Sequence, residues 1–129
     1  MLRDVYSGRV RLNGEEHEDT IIAALNYATS LASLRRFEEA KSLLCKTMPV
    51  TQRVLGESHE LTLNLRKVYA LALSRDAGAT LDDLREALDT LEDAGRIARR
   101  VFGGAHPLTE EIEKALQEAG AALRETPSA

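Results

Sequence analysis

The three histidines of this 129-residue chain stand in one recurring setting, which makes them the first candidates for chemistry. They occur in Gly14-Glu15-Glu16-His17-Glu18-Asp19-Thr20, Gly56-Glu57-Ser58-His59-Glu60-Leu61-Thr62 and Gly103-Gly104-Ala105-His106-Pro107-Leu108-Thr109. Imidazoles beside carboxylates are what a metal centre or a general acid–base catalyst uses. His17-Glu18 and His59-Glu60 each look like the first half of a zinc-hydrolase helix, yet neither has a second histidine four residues on. The separations are 42 residues (59 − 17) and 47 residues (106 − 59). With helical sequence between the marks, the rings would stand about 20 Å apart, two helix diameters, whereas a metal needs its ligands within a few Å. The histidines are therefore expected to be structural turn residues. No Gly-rich phosphate loop and no nucleophile–base pair is found, so a non-enzymatic protein with no cofactor and no metal is expected. Cys45 is the single cysteine. Without a partner thiol it is expected to be a buried or half-buried packing residue in a reducing, intracellular compartment, hence a cytoplasmic protein.

A period of 42 to 47 residues with helical sequence between the marks is the signature of a helical repeat array. Composition agrees. Aromatics are only 4%, so the core must be built from Leu, Ala, Val and Ile, which suits closely packed helices better than sheets. The net charge of −4 excludes a basic nucleic-acid-binding face, and no apolar run approaches the roughly 20 residues that a membrane-spanning helix needs.

The elements follow from apolar spacing. Leu2, Val5, Tyr6, Val10 and Leu12 form a stripe on a short first helix, and Arg11-Leu12-Asn13-Gly14 echoes Arg53-Val54-Leu55-Gly56 one repeat later. A second helix, from about Glu18 to Leu34, carries Ile21, Ala24, Leu25, Ala28, Leu31 and Ala32 three and four apart. Phe37, Ala40, Leu43, Leu44, Thr47, Met48 and Val54 make the inward stripe of a third, with Pro49 bending the helix and not ending it. The fourth, about His59 to Ser74, repeats the second. The register then slips by five residues, which the sequence assigns to the loop Arg75-Asp76-Ala77-Gly78-Ala79-Thr80, with Thr80 as an N-cap and Asp83 as its capping-box acid. The fifth helix runs from about Leu81 to Val101, its inward stripe including Leu84, Leu91, Ile97 and Val101, and Gly95 marks close approach of a neighbour. Pro107 opens a sixth, and residues after Glu125 are expected to fray. Acids at Glu15, Glu16, Glu18 and Asp19, and bases at Arg99 and Arg100, suit the dipoles of the helix ends they occupy. The fold class is thus all-α: about six helices in antiparallel pairs, stacked as a right-handed α-solenoid. One domain spans 1–129. Residues 1–13 are the second helix of a truncated repeat, 17–56 a full repeat, 59–103 a repeat with a five-residue insertion, and 106–124 a terminal helix.

His17, Thr20, Asn26, Ala28, Phe37-Glu38-Glu39-Ala40, Leu43, Arg53, Val54-Leu55-Gly56 and His59 together resemble the kinesin-light-chain type of tetratricopeptide repeat, without a gap over 42 residues. The resemblance implies a concave groove, lined by the first helix of each pair, that binds peptide segments of partner proteins. Asn26 matches the family's groove asparagine. Helical geometry sets Ile22, Leu25, Thr29 and Ser33 on its side, and Asn64, Lys67, Val68, Leu71 and Arg75 in the next repeat. The expected peptide-binding groove is therefore Asn26, Thr29, Ser33, Asn64, Lys67, Leu71 and Arg75. Val68 stands where the groove asparagine would recur, and in the third repeat Glu111, Lys114, Ala115 and Glu118 occupy these places. The implied function is a protein–protein interaction scaffold or adaptor, with a preference for acidic peptides at Lys67 and Arg75. The competing reading is a structural or oligomerisation element of a larger assembly, or an excised part of a longer repeat protein, that contacts partners through its terminal helices, with helix 1–12 as the surface for self-association.

Overall fold

The computed structural model describes residues 2–14 and 16–125. They form six helices and, among the described residues, no strand: α1 (Leu2–Asn13), α2 (Glu18–Ser33), α3 (Phe37–Leu55), α4 (Glu60–Arg75), α5 (Leu81–Phe102) and α6 (Pro107–Glu125). The readings made above for Glu15 and for residues after Glu125 lie outside the described residues.

The repeated Gly-x-x-His-x-x-Thr unit is a helix-stop, helix-start device. Gly14, Gly56 and Gly103 adopt φ of +82°, +92° and +90°, a conformation that disfavours any side chain. Their N–H groups donate to Val10, Gln52 and Arg99 carbonyls, closing α1, α3 and α5 at 2.9, 3.0 and 3.0 Å. Three residues on, the histidine caps the next helix. The Nδ1 atoms of His17, His59 and His106 accept the backbone N–H of Asp19, Leu61 and Leu108 at 3.0, 3.0 and 3.1 Å. A ring nitrogen here does what a Ser or Asp oxygen does at other N-caps, satisfying one of the donors that a helix start leaves without an intrahelical partner. Thr62 Oγ1 then donates to Gly56 O at 2.7 Å, tying the start of α4 to the end of α3. The equivalent hydroxyls of Thr20 and Thr109 are buried without a partner. At the α2–α3 turn Arg35 takes the left-handed position that ends a helix, φ 62°. Its N–H donates to Ala32 O and that of Arg36 to Leu31 O, while its guanidinium lies 5.3 Å from the centre of the Phe37 ring.

Consecutive helices joined by such short turns pack antiparallel, and each touches the next. In addition α2 packs on α4 and α4 on α6, whereas the backbones of α1, α3 and α5 do not approach one another. The first helices therefore form a close inner row and the second helices a splayed outer one, the arrangement of a curved α-solenoid. The core has two lobes. Ile21, Ala28, Leu31, Phe37, Ala40, Leu44, Leu65, Val68 and Ala72 fill one, and Leu63, Ala70, Leu73, Leu91, Ala94, Ile97, Ile112 and Ala115 the other. Helix α4 supplies both, so it is apolar on two faces. Helix α6 is not. At the positions 47 residues after Leu63, Ala70 and Leu73 (110, 117 and 120) it has Glu110, Gln117 and Gly120, and its buried side chains all belong to the face toward α4 and α5.

Several details correct or sharpen the sequence reading. The slip of five residues is not all loop. The α4–α5 turn, 76–80, is two residues longer than the α2–α3 turn, 34–36, and α5 has 22 residues where α3 has 19, so three of the five form an added first turn of helix. The Thr80–Asp83 capping box is formed in both directions. Helix α3 runs through Pro49 uninterrupted. Gly95 is buried against α6, and a Cβ there would meet Ile112 Cγ2 at 3.4 Å, close to ordinary van der Waals contact. Val54 and Val101, read as inward, are exposed, because each sits in the last turn of an outer-row helix beyond the reach of its neighbours. Cys45 is also exposed and not a core residue: Leu44 takes the fully buried position, and the next residue is rotated about 100° away from it.

Replacing His59 by alanine is expected to lower stability by about 1 kcal/mol, the ordinary value of an N-cap side chain. Asparagine, which reaches the same N–H, should restore most of it. Urea unfolding of the two variants followed by circular dichroism checks this; an alanine variant as stable as the parent would remove the cap from the account.

Candidate functional site

The inner row presents α2, α4 and α6 side by side. Asn26, Thr29, Ser33, Asn64, Lys67, Leu71 and Arg75 all line one groove between α2 and α4, a hollow of about 230 Å³ completed by Leu25, Ala32 and Val68. Adjacent first helices of a repeat array lie in parallel, so residues at i, i+3 and i+7 of each (26, 29 and 33; 64, 67 and 71) face the same channel. Ile22, expected on this side, is exposed and does not line the hollow. Val68 is nearly fully buried and forms the floor with the part-buried Leu25, Ala32 and Leu71.

The polar groups differ in how far they are committed. Thr29 Oγ1 donates to Leu25 O at 2.8 Å, and Asn64 Nδ2 gives one of its two N–H groups to Glu60 O at 3.2 Å, so Thr29 is committed and Asn64 partly committed within their own helices. Asn26 and Ser33 are exposed, and neither side chain has a hydrogen bond to another described residue. Asn26 thus offers a full amide, two donors and one acceptor oxygen, to whatever enters the groove.

The cations are not open. Lys67 Nζ sits 2.5 Å from Glu111 Oε1, and Arg75 donates from Nε and Nη2 to the two oxygens of Glu118 at 2.7 and 3.1 Å. Lys67, Leu71 and Arg75 border a second hollow of about 190 Å³ with Glu111, Lys114, Ala115 and Glu118. The hydrogen bond from Arg75, more than its charge, holds the Glu118 carboxyl below the ordinary glutamate range, and the same bond raises Arg75. A pull toward acidic peptides, which free Lys67 and Arg75 would exert, is met by carboxylates already in place. The sequence does contain the signal. Glu111 and Glu118 follow Lys67 and Arg75 by 44 and 43 residues, one repeat spacing short by a helical turn, which sets each pair face to face across α4 and α6.

Away from the groove, Asp93 accepts from Arg66 at 2.8 Å and from Arg96 at 2.5 Å, and its carboxyl is lowered chiefly by the Arg66 hydrogen bond. Arg99 forks onto Glu113 across α5 and α6. Tyr69 Oη donates to Glu86 at 2.6 Å; burial, then that carboxylate, raises the phenol far above its usual value. Among the described residues no three His, Cys, Asp or Glu side chains converge as metal ligands, and no helix is long and apolar enough to cross a membrane.

Glu118 and Asp93 both have folded-state values below their unfolded ones. Their contribution to stability is present above the unfolded carboxylate range, about pH 4, and disappears as pH falls through the lower folded values. Glu118→Gln should therefore be less stable than the parent at pH 7, with the gap closing below about pH 4. Thermal melts from pH 7 down to 3 check the trend, and a gap that widened on acidification would contradict it.

No curated protein matches the chain. Residues 20–60, from buried Thr20 through α2 and α3 to the first residue of α4, match the family model of the tetratricopeptide repeat. This segment contains Asn26, Thr29 and Ser33 on the groove side of α2 and the whole outer helix packed behind it. Over those residues the chain is similar to a tetratricopeptide repeat, and the matched segment is set in an all-helical array.

Proposed function

We propose that the α2–α4–α6 face binds an extended segment of a partner protein, and that the chain acts as a non-enzymatic interaction scaffold. The observation that carries this is the uncommitted amide of Asn26 beside an apolar channel, with Ser33 two turns further along. An amide of this kind can pair with both the N–H and the C=O of an extended backbone, which gives register without dictating sequence. Leu25, Ala32, Val68 and Leu71 then select for modest apolar side chains between those anchors. Tetratricopeptide repeats generally bind protein partners. We further assign the repeat to the kinesin-light-chain type, on the ungapped match from His17 to His59, with repeats at 17–56 and 59–103 and half-repeats at 1–13 and 106–124.

The partner segment is neutral where it crosses α2 and α4. An acidic residue facing Lys67 or Arg75 would have to displace Glu111 or Glu118, exchanging one carboxylate for another at no net gain. Asn26→Ala should weaken capture from an immobilised library of extended peptides by about five- to tenfold, the value of a lost hydrogen bond of about 1 kcal/mol, without lowering the melting temperature. The Glu111→Gln, Glu118→Gln pair should raise affinity for acidic peptides over neutral ones. Unchanged binding by the Asn26 variant would overturn the groove reading.

A second reading, an assembly element, has its own observation. Helix α1 has no buried residue, and Val5 and Leu12 are 45% and 80% exposed. Self-association through it should appear as a concentration-dependent mass in light scattering that Leu12→Glu abolishes.

A further inference from the structure

A small hollow between α2 and α3 shares no lining residue with the groove. It measures about 10 Å³, room for the centre of one water molecule, and is walled by Tyr6 of α1, Thr20, Ile21 and Ala24 of α2, and Lys46 and Thr47 of α3. Two of these residues bring hydroxyls into the interior: Thr20 is 2% exposed and Thr47 6%. Thr47 Oγ1 donates to Leu43 O at 2.8 Å, which leaves that oxygen able only to accept. Thr20 Oγ1 has no partner among the described residues, whereas its counterpart one repeat later, Thr62, donates to Gly56 O. A buried hydroxyl without a partner forfeits the hydrogen bond it makes with water in the unfolded chain.

The internal repeat shows why the hollow exists. Ala24 and Lys46 correspond to Arg66 (66 − 24 = 42) and Asp93 (93 − 46 = 47) in the next repeat. There Arg66, its side chain only 14% exposed, reaches Asp93 at 2.8 Å and links the inner helix to the outer one. The offset of 47 also turns Thr47 into Ala94. The first repeat thus has a methyl where the second has a guanidinium, and a hydroxyl where the second has a methyl. Space and polarity are exchanged together. What the Arg66 side chain fills in the second repeat is left, in the first, to something small and polar.

We propose that this hollow is a binding site for one long-lived water molecule that joins α2 to α3. The water accepts the Thr20 hydroxyl proton and donates to Thr47 Oγ1, whose own proton goes to Leu43 O, so the chain of bonds runs in one direction. A site of about 10 Å³ with two polar partners meets what an internal water requires, whereas a hollow that stays dry has apolar walls throughout. The water does for the first repeat what the Arg66–Asp93 pair does for the second, a polar link between inner and outer helix.

The test is 17O magnetic relaxation dispersion on the whole protein, which counts long-lived water oxygens and is blind to exchanging hydroxyl protons. Thr20→Val with Thr47→Val removes both partners at nearly constant shape and should lower the dispersion amplitude by the equivalent of one water. Thr20→Ser keeps the hydroxyl and should keep the amplitude. Ala24→Arg with Lys46→Asp installs the second repeat's ion pair in the hollow and should also lose one water. Circular dichroism of each variant checks that the helices are retained; if the valine pair unfolds, the serine and ion-pair variants carry the comparison. An amplitude unchanged by either double variant would overturn the proposal. A full loss in the serine variant would do so as well, because packing of the Thr20 methyl and not its hydroxyl would then hold the molecule.

Discussion

The structure depends on the burial of α4 from two sides. Leu65, Val68 and Ala72 close the lobe formed with α2 and α3, and Leu63, Ala70 and Leu73 the lobe formed with α5 and α6. A helix that is apolar on two faces cannot be stable at the edge of a small protein, because one face would remain in water. It has to have neighbours before and after it in the chain. Once α4 is in the middle, the positions of the other helices follow: α3 and α5 behind it, α2 and α6 beside it. The capping units at Gly14–Thr20, Gly56–Thr62 and Gly103–Thr109 set the angle of each reversal with a positive-φ glycine and a histidine ring, so the same turn is made three times.

The inner row creates the groove and also sets its charge. Placing α6 against α4 brings Glu111 to Lys67 and Glu118 to Arg75, and these pairs occupy the basic side of the channel. Pairs of this kind on a partly exposed surface add little to stability. They matter more for what can bind, because a ligand carboxylate must compete with one that is already tethered. What remains open lies toward α2, an amide and a hydroxyl above aliphatic side chains. That asymmetry turns a groove that looks cationic in one dimension into one whose accessible end is neutral.

The outer faces of the two flanking helices differ. Glu110 and Gln117 make that of α6 polar at positions where α4 has the buried Leu63 and Ala70. Beside α1, Leu34 stays exposed and Tyr27 half-buried.

The helices, their caps and their order were legible in the chain, because each rests on neighbours in sequence. The stripe Ile21, Ala24, Ala28, Leu31, the breaker at Gly56, the N-terminal proline of α6 and the Thr80–Asp83 box act within one or two turns of backbone. The repeat of 42 residues made the solenoid legible too, since identical units that each bury one face must stack. Position in an outer helix was not legible: Val54, Val101 and Cys45 fit the period or the residue type of a core but end in solvent, because burial is decided by whether a neighbouring helix reaches that far. The division of the five added residues between turn and helix depended on where Thr80 could cap. The sequence by itself determined the fold class and the line of residues along α2 and α4. Only the tertiary structure decided which of those residues are committed, since Lys67 and Arg75 meet Glu111 and Glu118 through space, 44 and 43 residues away, and the Asn26 side chain has no hydrogen bond to another described residue.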